Sequence, residues 1–168
     1  MNAFYIRLFT VLSALFVILA SPVAIAKKGG IPVRTEQIVI SLQEDPLAGD
    51  PERACVALQL GTGLLMKGAE VTIFATLGGV AIANQASLSS SRLCERVSSD
   101  GNLMEPAPLS TILSMYLDAG GKILACPLCW VVRYGDLVES MDQLIEGDAV
   151  YADTPVPLLL EADKVIDY

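Results

Sequence analysis

The sequence predicts a single-domain α/β fold: a three-layer sandwich around a mostly parallel sheet of about five strands, with flavodoxin- or Rossmann-like topology. Three observations predict it. Short apolar runs rich in β-branched residues alternate with longer helical patterns along the chain. The length of 168 residues suits one domain. A hydrophobic content of 53% with 18% charged residues indicates a packed core and excludes a disordered chain.

The first strand–helix–strand unit lies in the first half of the chain. Residues 38–42 read IVISL, which is typical of a buried strand. Asp50 and Pro51 then form the cap and first position of a helix, which Gly68 ends. The run VTIFA over 71–75 follows as a second strand. We expect a right-handed parallel βαβ unit.

The second half repeats the alternation. Apolar residues recur at helical spacing from Leu109 to Tyr116, and the run ILA over 123–125 predicts a third strand. The polar stretch 87–108 predicts an irregular loop. The remaining expected elements are short helices over 80–86, 127–134 and 155–162 and strands over 149–151 and 165–168.

The N-terminus has the pattern of a secretory signal peptide. Residues 8–26 carry no charge, Ser21 and Pro22 break the apolar helix, and Ala24-Ile25-Ala26 fits signal peptidase. We expect a signal peptide over 1–26, a linker over 27–35 and the α/β domain over 36–168. The mature protein would be periplasmic or secreted and free of the membrane; an uncleaved anchor is the alternative, since nineteen apolar residues can span a bilayer.

Composition excludes several classes of function. The chain has no histidine, which excludes Ser-His-Asp and Cys-His catalysis and histidine-ligated metals. Its net charge of −8 and lack of a basic stripe argue against binding nucleic acid. Gly61-Thr62-Gly63 lies within the first helix and is not a phosphate loop. No cofactor is expected.

The chemistry is predicted at Cys126-Pro127-Leu128-Cys129. Cys126 follows the third strand and precedes a helix, and sites in parallel sheets form at the carboxyl ends of strands. At the helix N-cap its thiolate would be favoured by free N–H groups. We therefore expect Cys126 as the catalytic nucleophile and Cys129 as the resolving thiol. The alternative is a pair of buried, inert thiols. Arg133 is expected to reach Cys129 or, in preference, solvent.

The other two cysteines are expected to serve chemistry or to be buried incidentally. Cys55 lies inside the long helix and is predicted to be a core residue. Cys94 lies in the polar stretch beside Arg92 and Arg96. It can have a lowered pKa there, pair with Cys126 or Cys129, or simply be exposed. Four cysteines are too few for a disulfide scaffold.

Metal and acid–base chemistry are secondary possibilities. A structural zinc would need Cys55, Cys94 or a second subunit to join the cysteine pair. Cu(I) accepts two thiolates, so any metal would lie on Cys126 and Cys129. Glu44, Asp45 and Asp50 follow the first strand at the same sheet edge. They can act as acids or bases, although turn formation and capping explain Asp45 and Asp50.

Three segments resemble the DsrE/DsrF-like family of sulfur-relay proteins. Residues 38–83 read IVISLQEDPLAGDPERACVALQLGTGLLMKGAEVTIFATLGGVAIA, residues 120–137 read GGKILACPLCWVVRYGDL, and the chain ends in DKVIDY. Together the match covers about 36–168. The resemblance implies that Cys126 carries a persulfide, and that copies of the chain assemble into trimers or hexamers. The family's familiar members are cytoplasmic and many use one cysteine, so export and a cysteine pair are departures.

The functional hypothesis is an exported thiol protein that handles sulfur. Cys126 would accept sulfane sulfur as a persulfide, Cys129 would assist or resolve, and a donor or acceptor protein would be the partner. Sulfurtransferase activity is possible. The mean hydropathy of +0.54 supports a homo-oligomer. A disulfide-exchange or redox protein, and a non-catalytic module that binds Cu(I) or a protein, are the alternatives.

Overall fold

The computed structural model describes residues 34–98, 100–145, 149–151 and 155–168. The expected signal peptide over 1–26 and nearly all of the linker over 27–35 lie outside the described residues. Within the described part of the chain, no helix combines the length and apolarity needed to cross a membrane.

A parallel sheet of five strands forms the centre of the domain. Its spatial order is β6-β5-β2-β1-β7. The strands are β1 (Gln37–Leu42), β2 (Glu70–Ala75), β5 (Lys122–Ala125), β6 (Ala149–Tyr151) and β7 (Lys164–Asp167). All four pairings are parallel, with Ile40 opposite Ile73 and Ala75 opposite Ala125. The predicted fold class is confirmed.

Among the described residues, five α-helices lie between the strands. They are α1 (Glu52–Leu65), α2 (Leu109–Asp118), α3 (Pro127–Tyr134), α4 (Leu137–Ser140) and α5 (Pro155–Glu161). Asp50 accepts the Glu52 N–H at 3.0 Å, so the carboxylate satisfies a free donor at the start of α1. Gly68, at φ +90°, turns the chain after α1 in the left-handed conformation that favours glycine.

The core lies mainly on one face of the sheet. Helices α1 and α2 pack together on this face. The chain advances in one direction from β1 to β2 to β5, and right-handed crossovers in one direction place their connecting segments on the same face of the sheet. The connection from β6 to β7 crosses the sheet in the opposite direction, and its helix α5 contacts β1. Val39, which points away from the main core, is buried. The three layers are therefore helices, sheet and helix.

Tyr116 fixes α2 to the end of the sheet opposite the cysteine pair. Its side chain is fully buried, and its hydroxyl lies 3.0 Å from the Val71 carbonyl oxygen and 2.9 Å from that of Lys122. Gly61 of α1 leaves room for the ring, since a Cβ there would lie 2.8 Å from it. The glycine within Gly61-Thr62-Gly63 thus serves packing.

The polar stretch 87–108 is more regular than predicted. After 3₁₀ helices at Leu77–Ala83 and Gln85–Ser89, the chain forms an antiparallel hairpin of β3 (Leu93–Val97) and β4 (Leu103–Pro108). The first 3₁₀ helix replaces the helix expected over 80–86. The expectation of an irregular loop was wrong because Asp100-Gly101, with Gly101 at φ +83°, is a hairpin turn signal between two short strands.

A disulfide attaches this hairpin to α1. Cys55 and Cys94 are bonded, with Cα atoms 5.4 Å apart, and both are buried. The Gln59 amide adds a hydrogen bond of 2.8 Å to the Glu95 carbonyl. Cys55 is a core residue as predicted, but the expectations for Cys94 were wrong: it is neither exposed nor paired with Cys126 or Cys129. Two of the four cysteines thus form a structural disulfide.

Candidate functional site

Three segments meet at the carboxyl edge of the sheet. They follow β1, β2 and β5, three adjacent strands, so parallel pairing brings their ends together. The first is the loop 43–50, the second the turn 76–79, and the third the start of α3. The predicted site residues lie in the third segment, with the other two beside it.

Cys126 joins the sheet to α3. Its backbone N–H still donates to the Ala75 carbonyl at 2.8 Å, as a strand residue would. Its own carbonyl accepts the Trp130 N–H at 2.9 Å, which is the first hydrogen bond of α3. Cys126 is therefore the helix N-cap, and Pro127 occupies the first turn, as the sequence predicts. Its half-buried thiol is free of any disulfide.

Cys129 lies one turn along α3 and touches Cys126. Burial raises the pKa of the Cys129 thiol, and a hydrogen bond to Cys126 raises it further. The backbone N–H of Leu77 also bonds the Cys129 sulfur and acts in the opposite direction without reversing the shift. Cys129 thus keeps its proton to higher pH than an ordinary thiol and can donate it to a thiolate at Cys126.

The turn after β2 holds an unusual backbone beside the cysteines. Leu77 has φ +47°, the left-handed conformation that costs a residue other than glycine about 1 kcal/mol or more. Gly79 follows, and its N–H donates to the Gln43 carbonyl at 2.8 Å. A Cβ at Gly79 would lie 2.1 Å from the Leu42 oxygen, so only glycine fits. This contact clamps the turn against the end of β1.

Trp130 anchors α3 in the core. The side chain is fully buried, and its indole N–H donates to the Ser140 hydroxyl at 2.8 Å. That hydroxyl donates in turn to the Asp136 carbonyl at 2.7 Å. The ring also packs against Tyr134, with centroids 4.4 Å apart. The cysteine pair is therefore carried by a helix whose orientation is fixed from its inner face.

Arg133 pairs with Asp45 across the site. Arg133 is exposed to solvent, as expected, and its guanidinium also forms an ion pair and hydrogen bond with the Asp45 carboxylate, which was not expected. Partial burial raises the pKa of Asp45, but the N–H groups of Ala48 and Leu47 and the Arg133 guanidinium outweigh it and hold that pKa below its usual value. Asp45 is thus a charged partner for α3.

The other two acidic residues after β1 have structural partners. Glu44 forms an ion pair with Arg53, 3.2 Å away on α1. Asp50 caps α1, as predicted. Asp45 itself forms a turn, accepting the N–H groups of Leu47 and Ala48 at 2.8 and 3.0 Å. Turn formation and capping therefore account for this cluster.

The disulfide limits the metal chemistry of the chain. Because Cys55 and Cys94 are bonded to each other, neither can join the free pair to complete a zinc site. In the part of the chain that the structure describes, no three cysteine or acidic side chains are grouped so that they could hold a metal ion. Cys126 and Cys129 alone could offer two sulfurs to Cu(I).

The architecture can be compared with solved structures. The chain is similar to the crystal structure of the ychN protein from E. coli, with a TM-score of 0.56 and 17% sequence identity, over 80% of this chain and 100% of that one. The fold is the DsrE-like fold. The fold that the resemblance implied is therefore confirmed. No protein-family model matches the chain, and no curated protein matches its sequence.

Sequence reasoning missed two contributors to the site. The Asp45–Arg133 pair joins residues 88 positions apart, and no local pattern signals it. No role was predicted for Leu77, although an apolar residue directly before Gly78-Gly79 at a strand end was a visible signal. The first holds α3 against the loop after β1, and the second lies against Cys129.

Proposed function

We propose that the protein is an exported sulfur-handling thiol protein in which Cys126 accepts sulfane sulfur as a persulfide. The observation that carries the proposal is the position of Cys126: a free thiol at a strand end and helix N-cap, hydrogen bonded to Cys129. Because the pKa of Cys129 is raised, its S–H can donate a hydrogen bond to the Cys126 sulfur. The DsrE-like fold supports sulfur relay at the level of fold.

Loading is a single displacement. The Cys126 thiolate attacks the outer sulfur of the donor, the donor's S–S bond breaks as a new S–S bond forms on Cys126, and a persulfide donor leaves as a thiolate or a polysulfide donor as a polysulfide one sulfur shorter. Transfer reverses the step, since an acceptor thiolate attacks the outer sulfur and Cys126 leaves. Alternatively the Cys129 thiolate attacks the Cys126 sulfur, which releases hydrosulfide and leaves a Cys126–Cys129 disulfide that an external dithiol must reduce.

The Cys55–Cys94 disulfide supports export. Structural disulfides persist in oxidising compartments and are rare in the cytosol. We therefore retain the proposal of a signal peptide cleaved after Ala26 and a periplasmic or secreted mature protein. N-terminal sequencing of the exported protein should begin at Lys27; a sequence that began at Met1 would contradict cleavage.

Self-association is proposed as part of this function. Leu93, Val97 and Leu103 are exposed on the hairpin, where a lone monomer would leave apolar surface in water. We propose a homo-oligomer, a trimer or hexamer, with an exported donor or acceptor protein as its partner. Light scattering at micromolar concentration should give a multiple of the mature chain mass; the mass of one chain would contradict it.

Mass spectrometry tests sulfur acceptance directly. The protein, with Cys55–Cys94 intact, is incubated with inorganic polysulfide and its peptides are examined for the mass of one added sulfur atom. We expect the adduct on Cys126 in the native protein and in Cys129→Ser, where it persists longer, and none on any cysteine in Cys126→Ser. An adduct that Cys126→Ser retains would contradict the proposal.

Disulfide exchange is the second candidate, and the contact between the two thiols favours it. The chemistry would be a reversible Cys126–Cys129 disulfide with no sulfur added. The spectra of Cys129→Ser separate the two functions, because this variant cannot form a Cys126–Cys129 disulfide: sulfur handling predicts one added sulfur atom on Cys126, whereas disulfide exchange predicts no gain of sulfur. A Cu(I)-binding module would show copper retention without either change.

A further inference from the structure

The outer side of α3 is apolar and exposed. Leu128, Val131 and Val132 are 72%, 38% and 81% exposed, and their i, i+3, i+4 spacing places them on one face of the helix. Trp130, on the opposite face, is fully buried. Apolar side chains normally line the inner face of such a helix, so an outer apolar face beside two reactive sulfurs needs an explanation.

Leu77 extends this face across the cysteines. Its backbone N–H bonds the Cys129 sulfur, and the 3₁₀ helix that it begins packs against α3. Cys129 is in turn the i, i+3 neighbour of Val132. The Leu77 side chain is 62% exposed. Leu77, Leu128, Val131 and Val132, which we call the docking patch, are therefore exposed apolar residues on the helix that carries Cys129 and on the segment that contacts it.

The conformation of Leu77 indicates that its side chain is used. Glycine or asparagine would adopt this left-handed conformation at a lower cost in free energy than leucine does. An exposed leucine gains little from the core of the monomer. Neither backbone geometry nor packing within the chain thus favours leucine here, whereas contact with a second molecule would.

We propose that the docking patch binds an extended segment of a partner protein that is apolar on both sides of the cysteine whose sulfur exchanges with Cys126. The proposal rests on the proposed function in taking Cys126 as the reacting thiol. An extended segment can lay its cysteine over Cys126 while side chains before and after it contact Leu128 and Leu77. The patch supplies affinity, and the thiols supply the chemistry.

The size of the patch favours a transient partner over a second copy. At roughly 100 Å² of apolar area per fully exposed side chain, the four residues offer on the order of 250 Å². A stable interface needs about 800 Å² on each partner. A permanent contact through the patch would also cover both sulfurs. A relay partner must bind, exchange sulfur and leave, which a small apolar contact allows.

Two synthetic peptides test the proposal. One carries a single cysteine flanked on each side by two leucines, and the other has serines in place of the leucines. Each is activated as a mixed disulfide with thionitrobenzoate and mixed with the Cys129→Ser protein. The Cys126 thiolate attacks the peptide sulfur, a Cys126–peptide disulfide forms, and the coloured aromatic thiolate leaves.

We expect the leucine peptide to react about tenfold faster than the serine peptide. Val132→Ser should reduce this ratio at least twofold while its reaction with a small aromatic disulfide is unchanged, and Leu77→Asn should also reduce the ratio at least twofold. Met66→Ser is the matched control, because Met66 is 79% exposed at the end of α1 remote from the cysteines, and it should leave the ratio unaltered. Equal rates for the two peptides would overturn the proposal.

Leu77→Asn separates docking from a structural role. Asparagine tolerates the left-handed conformation, so this variant should be at least as stable as the native protein while it captures the leucine peptide more slowly. If Leu77 only supports the fold, Leu77→Asn should instead be less stable than the native protein. That result, with capture unchanged, would also overturn the proposal.

Binding without chemistry distinguishes docking from the proposed function. The same peptides, with serine in place of cysteine and a fluorescent label, are titrated against the native protein by anisotropy. Binding of the leucine peptide alone, weakened by Val132→Ser, supports the docking patch even if Cys126 accepts no sulfur. Equal affinities for the two peptides would overturn the proposal. A fall in oligomer mass in Val132→Ser would also overturn it, because the patch would then belong to an interface with a second copy of the chain.

Discussion

Cys55 and Cys94 lie in the core and are bonded to each other, whereas Cys126 and Cys129 lie half-buried at the carboxyl edge of the sheet with free thiols. The first pair joins α1 to a hairpin across 39 residues. The second pair spans one helical turn of α3, and the Leu77 N–H bonds the Cys129 sulfur. The same helix carries Arg133, which pairs with Asp45, and an exposed apolar face. The same residue type thus serves structure or chemistry according to burial and to what lies next to the sulfur.

Removal of the structural pair should give the largest change in stability. Replacing both Cys55 and Cys94 with alanine lifts a constraint on the unfolded chain, which for this loop length corresponds to about 4 kcal/mol. We expect urea denaturation to show a loss of that order. Cys126 of the folded double variant should still accept sulfur from polysulfide. A double variant that kept its stability but no longer accepted sulfur would contradict the assignment of Cys55–Cys94 to structure and of Cys126–Cys129 to chemistry.

Trp130→Phe should affect the reactive pair with a moderate loss of stability. It removes the indole donor to the Ser140 hydroxyl and leaves space around a smaller ring, so we expect a loss of about 2 kcal/mol. Because Trp130 sets the orientation of α3, the alkylation rate of Cys126 should change as well.

Tyr116→Phe is the matched control for that change. It removes a buried hydroxyl from the opposite end of the sheet, where the oxygen contacts the Val71 and Lys122 carbonyls. Its stability should fall by a comparable amount, but Cys126 alkylation should keep its native rate. Equal effects of both variants on Cys126 would mean that α3 is not separately anchored.

The smallest effect is expected from Asp45→Asn. Because the pKa of Asp45 is lowered in the folded chain, its charge stabilises the fold above about pH 4, and this contribution is lost as the pH falls through the lowered pKa. The variant should be less stable than the native protein by at most about 1 kcal/mol at pH 7, a difference that shrinks toward pH 2. Urea denaturation at several pH values measures it.

A double-mutant cycle with Arg133→Gln identifies the source of the effect. If the Asp45–Arg133 pair carries it, the two substitutions together should destabilise by less than the sum of the single ones. Additive losses would instead assign the effect to the turn that Asp45 forms with Leu47 and Ala48.

Local sequence patterns predicted most of the fold and, within the site, the positions of the two free cysteines. The strands, α1 and α3 follow from apolar runs and end signals at Asp50, Gly68 and Pro127, and Cys126 could be placed because a strand end meets a helix start within one residue. The Cys55–Cys94 bond could not be predicted, since it depends on how a hairpin packs on α1, which spacing along the chain does not encode. The Asp45–Arg133 ion pair could not be predicted from the sequence for the same reason.

Competitive alkylation of the unreduced native protein at pH 6 tests the central claim most directly. A limiting amount of isotopically labelled iodoacetamide is added, and mass spectrometry follows the label on each cysteine. We expect Cys126 to react first, Cys129 more slowly because its pKa is raised, and Cys55 and Cys94 only after reduction and unfolding. Faster labelling of Cys129, or labelling of both thiols only in denaturant, would contradict the assignment of Cys126 as the nucleophile.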